Sequence, residues 1–277
     1  MKELGDDCAI RGADSIGLDV TTRRAPRHGQ RRHRSSGTEV TVTDPVTQRS
    51  AEYLARGDYH RELDESWPYL PVYLEKMRRV GRFLERKQHC RILDVGCGEG
   101  VLVDEYHCKG YDIVGLDLNY SRPGIYRGSI LNMPFKDDSF DLLLCLDVIE
   151  HLNLLDQPTA IAEMHRVLRP GGVLLASIPN LAHFASRLRF LLLGKLIRTS
   201  ELERHPGDRA YDEHHVLLSR EFVIEKSYGL FPTFPLISLL TYLMPAKVAW
   251  LHRIYNVLFA HPPWCFLNFF ECRKVSH

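Results

Sequence analysis

The stretch LDVIEHL sets two carboxylates and an imidazole, Asp147, Glu150 and His151, within one short length of chain. Such groups can take a proton from a hydroxyl nucleophile or, joined by further oxygen and nitrogen donors, hold a divalent cation. His214 or His215, in DEHH, could complete a donor set, and His183, after SIPNLA, is a further candidate at a pocket rim. Glu150 and His151 also suit a helix start that needs no ion, because the dipole favours a carboxylate there. Asp147, Glu150 and His151 are therefore the catalytic candidates. His151 serves as base or orienting group, no residue is assigned as a metal ligand, and a divalent metal stays as the alternative.

A second constellation precedes this one. In RILDVGCGEGVL an apolar run ends at Asp94 and opens into Gly96, Cys97, Gly98 and Gly100. A glycine-rich turn after a strand lets a ligand approach the backbone closely. Asp117, 21 residues beyond Gly96, closes the next apolar run, where a carboxylate can accept hydrogen bonds from a ribose diol. The spacing is G-x-G-x-G, with Val101 where the third glycine of a dinucleotide-binding turn would stand. Asp94 would repel a pyrophosphate and attract an ammonium. A cationic nucleoside is favoured on both counts, and an NAD(P)-dependent oxidoreductase remains the alternative.

Both constellations need strands that end side by side. CRILDVG, DIVGLDL, FDLLLCLDV and VLLASIP read as strands apolar on both faces, with helix-like VLVDEYHCKG and QPTAIAEMHRVL between them and RPGG as a turn. Gly110 suits a C-cap and Pro158 a first helical turn. This is a doubly wound α/β pattern with a mostly parallel sheet and helices on both faces. Upstream, SWPYLPVYLEKMRRVGRFLERK puts Leu74, Met77, Val80 and Phe83 or Leu84 on one face of an amphipathic helix.

With these stretches in order, the sequence resembles the class I S-adenosylmethionine-dependent methyltransferases, over roughly Ile92 to Asn180. LDVGCGEG is similar to their first motif and GLDL to their ribose-binding motif. GSILNMPFKDDSFDLLLCLDVIEHL and EMHRVLRPGGVLLASIPN are similar to their central and fifth-strand blocks. The resemblance implies a Rossmann-like seven-stranded sheet with S-adenosylmethionine as cofactor. It further implies that Asp94, Gly96, Cys97 and Gly98 hold the methionine end, Asp117 and Leu118 the ribose, Ser129 and the Ile130 amide the adenine edge, and that Leu146 lines the site. Ser129 stands where the family usually has aspartate, so the charge assistance of that contact is lost. The short link from Asp117 to Ser129 implies a stunted crossover helix. Family members acting in ubiquinone biosynthesis or on small-RNA 3′ ends carry an acid-x-x-Glu-His stretch that binds a divalent metal. The D-P-P-Y or N-P-P-Y stretch of amino-methylating nucleic-acid enzymes is absent, which favours oxygen or carbon acceptors.

Composition adds bounds. The formal net charge of +1 over 277 residues gives no global attraction to nucleic acid. Seven scattered cysteines without C-x-x-C spacing argue against a disulfide framework or zinc cage, and with no secretory signal the expected setting is cytoplasmic. Residues 1–45 read as a basic tail, with six arginines and two histidines in Arg23 to Arg34. It is a solvated segment or the arm of a non-catalytic binding protein. Residues 46–88 follow as a helical cap, 89–228 as the cofactor-binding core with a lid-like segment at 183–216, made of an apolar stripe flanked by basic residues at Arg187 to Arg198 and the polar, loop-like TSELERHPGDRAYDEHH, and 229–277 as apolar elements that complete the sheet or the substrate pocket. SYGLFPTFPLISLLTYLMPA has twenty residues without a charge. Its three prolines argue against a spanning helix and for a strand near Phe231 to Phe234 followed by a short helix. These elements either join the core or dip into a membrane surface, and an exposed remainder would point to a lipid-like acceptor. The expected partner is a small-molecule, glycan or lipid-linked acceptor, with peripheral membrane contact through the C-terminal third and no nucleic acid.

Overall fold

The computed structural model describes residues 63–197 and 205–275. The expected tail 1–45, with its arginine-rich run, residues 46–62 of the expected cap, and residues 198–204 of the expected lid lie outside the described residues.

Apolar runs that alternate sides build the sheet. Ile92, Leu142 and Leu144 point into one layer and Leu93, Leu143 and Cys145 into the other, all at 0% exposure, as strands buried on both faces require. Seven strands, β1 (Arg91–Val95), β2 (Asp112–Asp117), β3 (Ile125–Arg127), β4 (Phe140–Leu146), β5 (Leu168–Pro179), β6 (Val223–Pro232) and β7 (Cys265–Arg273), lie in the order β3-β2-β1-β4-β5-β7-β6. All neighbours are parallel except β7, which runs antiparallel between β5 and β6. The chain switches direction between β1 and β4, the place where an open α/β sheet leaves a crevice at its strand ends.

Helices α1 (Leu70–Leu84) and α2 (Val101–Cys108) cover one face. The other carries α3 (Gln157–Val167) and α5 (Tyr211–Leu218). Helix α4 (Phe184–Leu193) follows β5, and α6 (Pro235–Leu243) and α7 (Pro245–Leu258) link β6 to β7. Helix α1 packs against α7 and β6.

Several expectations are corrected. Leu74 is 42% exposed, whereas Val80, Phe83 and Leu84 are buried as expected, Met77 packs against the same cluster, and Tyr73 and Lys76 are buried with them. Lys76 can be buried because it finds a carboxylate there. Among the described residues no helix links β2 to β3. Residues 118–124 make a tight return in which Gly124 carries φ +82° and its carbonyl accepts from Gly115 N at 2.8 Å. So short a connection is possible because β3 is a three-residue edge strand. RPGG is a bulge inside β5 rather than a turn before it: pairing jumps from Phe140 opposite Leu168 to Leu142 opposite Val173, with Gly171 at φ +76°. The sixth strand begins at Val223, earlier than expected. DEHH is helical, since Glu213 accepts from its own cap amide, Ala210 N, at 2.8 Å. The uncharged run is divided among β6, α6 and the start of α7. Among the described residues no helix is long and apolar enough to cross a membrane.

Candidate active site

The crevice is built first from glycines. Gly96 sits at φ +71°, and a β-carbon there would fall 2.4 Å from Val148 Cγ2, so no side chain fits. Gly98, at φ +57°, faces open space within 4 Å of its missing β-carbon. Gly96 N and Cys97 N donate to Leu116 O at 2.7 and 3.2 Å, tying the turn to β2. Asp117 then anchors both sides of the crevice: Oδ2 accepts from Gly98 N at 2.9 Å and Oδ1 from Asn119 N at 2.8 Å. Cys97 packs toward Gly115, where a β-carbon would lie 2.4 Å from the sulfur. Burial pushes its thiol well up from the usual range, so it is no nucleophile.

Asp94 is 4% exposed, and burial, reinforced by Asp117 and offset by Lys76, pushes its carboxyl up to about 7. A buried carboxyl poised this way is suited to a cationic ligand. Leu118 is exposed beyond the end of β2, and Leu146 is half-buried at the end of β4. The Ser129 hydroxyl is engaged in its own turn, accepting from Leu131 N at 3.2 Å, and the Ile130 side chain belongs to the core.

The three catalytic candidates divide into two groups. Asp147 has φ +58°, a conformation rare outside glycine, and its carboxylate turns toward α1. It takes the Lys76 ammonium at 2.8 Å, the Tyr69 hydroxyl at 3.2 Å and the Ser177 hydroxyl. Glu150 and His151 lie on the turn that follows and face the loop at 205–209. Glu150 is 1% exposed, and burial, together with Asp147 and Asp208, holds its carboxyl well above the usual range. Its Oε2 is buried without a hydrogen-bond partner.

Gln157 staples that loop in place. Its Nε2 donates to Ile149 O at 3.1 Å and Gly207 O at 2.8 Å, and its Oε1 accepts from Arg209 Nε at 2.6 Å. Gly207 N donates to Glu150 O at 3.1 Å, and a β-carbon on residue 207 would fall 2.1 Å from Leu152 O. His205 is thereby brought to 4.6 Å, ring centre to ring centre, from His151. The donor atoms of Glu150, His151 and His205 lie within 4.8 Å of one another, close enough for one metal ion. His205 Nδ1 is 3.5 Å from Asp208 Oδ1.

Residues 93–176 match the family model described as "Methyltransferase domain". The chain carries a class I S-adenosylmethionine-dependent methyltransferase domain. The domain is 38% identical over 104 residues to a "Probable S-adenosylmethionine-dependent methyltransferase" of Mycolicibacterium smegmatis, a match spanning 34% of this chain and 40% of that protein. It is 34% identical over 143 residues to a "Ubiquinone biosynthesis O-methyltransferase" of Sinorhizobium fredii, spanning 41% of this chain and 56% of that protein. The chain thus spans about half or less of these relatives' lengths. In fold it resembles a methyltransferase from Thermotoga maritima, with TM-score 0.54 at 17% identity over 81% of this chain and 99% of that one. It also resembles the N-methyltransferase NodS of Bradyrhizobium japonicum, crystallised with S-adenosylhomocysteine, with TM-score 0.52 at 16% identity over 84% and 100%.

The histidines of DEHH do not join the donor group of Glu150, His151 and His205. His214 is fully buried with Nε2 on Pro179 O at 3.2 Å, and His215 is exposed near Ser219. His183 is not at a solvated rim: it is 4% exposed, caps α4 by accepting from Ser186 N, and bonds Thr233 Oγ1 at 2.8 Å. Lys76, Tyr69 and His205 are the site residues that the sequence reading missed. The HPG triplet at 205–207 was the available signal for the last, because a glycine after proline marks a tight turn.

Proposed function

We propose that the protein transfers a methyl group from S-adenosylmethionine to an oxygen of a small-molecule, glycan or lipid-linked acceptor. The observation that carries this reading is the buried Asp94 beside the anchored Asp117 and the open Gly98, a cradle suited to a positively charged amino-acid nucleoside. Likeness to an O-methyltransferase of ubiquinone biosynthesis supports oxygen as the accepting atom. When bound, S-adenosylmethionine supplies an electrophilic methyl group on a sulfonium, open to in-line displacement.

The chain's own task is to hold, orient and exclude water. Asp94 balances the cationic end, and Asp117 accepts from the ribose hydroxyls with lone pairs left by its three amide contacts. His151 accepts the acceptor's hydroxyl proton. Asp147, fixed by Lys76, Tyr69 and Ser177, has an orienting role.

A second reading adds a metal, favoured by the unpartnered buried Glu150 Oε2 beside two imidazoles. Glu150, His151 and His205 would hold a divalent cation, which would supply Lewis-acid activation of the acceptor oxygen. His151 is then a ligand rather than a base. The test is to incubate the protein with labelled S-adenosylmethionine and fractionated small-molecule, glycan and lipid extracts, with and without chelator, while titrating Mn2+ calorimetrically into wild type and His205→Ala. Labelling that resists chelation, with no Mn2+ heat, leaves the metal-free reading. Labelling lost on chelation, with Mn2+ heat that His205→Ala removes, supports the metal. No labelled product in any fraction contradicts methyl transfer to these acceptors.

A further inference from the structure

Helices α4, α6 and α7 turn large apolar side chains to solvent. Leu191 and Leu192 on α4 are 80% and 69% exposed, Leu236 and Tyr242 on α6 64% and 71%, and Trp250 and Val257 on α7 62% and 81%. The helices are neighbours: the Phe184 ring at the start of α4 lies 4.8 Å from Phe234, and Phe234 lies 5.8 Å from Phe259 just past α7. Folded monomers seldom leave so much clustered apolar surface without a partner.

The charges on these segments define that partner. Residues 184–197 and 235–259 carry Arg187, Arg189, Lys195, Lys247 and Arg253 and no acid, in a chain whose totals, these five included, are 36 basic residues against 35 acidic. Helices of 10, 9 and 14 residues are too short to span a bilayer. Short helices with one apolar side and basic residues suit the headgroup region, where arginine and lysine reach phosphates above buried apolar groups. A second copy of the same face would instead oppose like charges.

We propose that α4, α6 and α7 form a docking face for an anionic lipid bilayer. The face is tied to the crevice by a chain of contacts. Thr233, one residue before Phe234, bonds His183; the His183 ring lies 5.7 Å from Phe266; Phe266 lies 5.5 Å from Tyr69; and Tyr69 donates to Asp147. Docking therefore brings the acceptor side of the site to the lipid surface, which, resting on the methyl-transfer reading, selects a lipid-borne acceptor. The docking face itself needs no such reading.

The test uses the full chain, sedimented with vesicles of phosphatidylcholine alone and of phosphatidylcholine with phosphatidylglycerol. Wild type partitions at least about tenfold more strongly onto the anionic vesicles, falling with salt. The exposed changes Leu192→Glu and Val257→Glu together lower that partition about tenfold or more, with circular dichroism and S-adenosylmethionine titration unchanged. The titration reports on the methyl-transfer reading separately. Three results overturn the proposal: no vesicle binding by wild type; binding that survives both substitutions, as it would if carried by the arginine-rich segment at 23–34; or a dimer in equilibrium sedimentation that the substitutions dissociate without any vesicle binding.

Discussion

Asp94 is a buried carboxyl whose two charged neighbours act in opposite senses, Asp117 keeping its proton on and Lys76 drawing it off. A cationic ligand needs the ionised form. Affinity for S-adenosylmethionine is therefore expected to be full above pH 7 and to fall as pH drops below about 7, where Asp94 takes up a proton. The loss between pH 7.5 and 5.5 is roughly tenfold or more, because each pH unit below the pKa dilutes the ionised form about tenfold. Calorimetric titration across that range checks it. Asp94→Asn should bind weakly and with little pH dependence, and an equally steep profile in that variant would remove Asp94 from the role. At this scale the cofactor side was legible because its chemistry is local: Asp94, the glycines and Asp117 fall in two short stretches joined by one strand pairing. Lys76 and His205 were not. Each reaches the site from a distant segment, and only the packing of α1 and the Gln157 staple show where it points.

Elements were readable where both faces of a strand are apolar and where a helix keeps one apolar stripe. They were misread where a polar side chain is buried by pairing, as with Lys76 on α1, or where a bulge hides a turn inside a strand, as at RPGG. The C-terminal helices add a further case. His252 on α7 is 1% exposed, lies against Phe231, and bonds Thr241 of α6 at 2.8 Å through Nε2. Thr241 Oγ1 already donates to Ile237 O, so the imidazole is the donor to Thr241. Burial holds His252 down to about 4, against the opposing pull of Glu75. A histidine whose pKa is depressed on folding contributes stability above its unfolded pKa of about 6.5 and loses it as pH falls toward 4. Urea unfolding should show wild type losing more stability than His252→Gln between pH 7.5 and pH 5, by an amount on the order of 2 kcal/mol. Equal losses in the two proteins would show that the clamp between α6 and α7 does not titrate.

Over the whole molecule, the described residues form a seven-stranded sheet whose strand ends assemble one crevice with two sides. A carboxylate-lined cradle lies on one side, and Asp147, Glu150, His151 and His205 lie on the other. The doubly wound order was legible because it follows from the alternation of strands and helices, and the direction reversal between β1 and β4 fixes where a ligand can sit. The outward faces of α4, α6 and α7 were not, since apolar composition alone does not separate a core helix from one that leaves its apolar side in solvent. The account rests on S-adenosylmethionine occupying the cradle. Its most direct test is calorimetric titration of that compound into wild type and Asp117→Ala at pH 7.5. The account predicts saturable one-to-one binding to wild type, weakened at least about tenfold by loss of the carboxylate that receives the ribose. Absence of binding to wild type, or binding indifferent to Asp117→Ala, would contradict it.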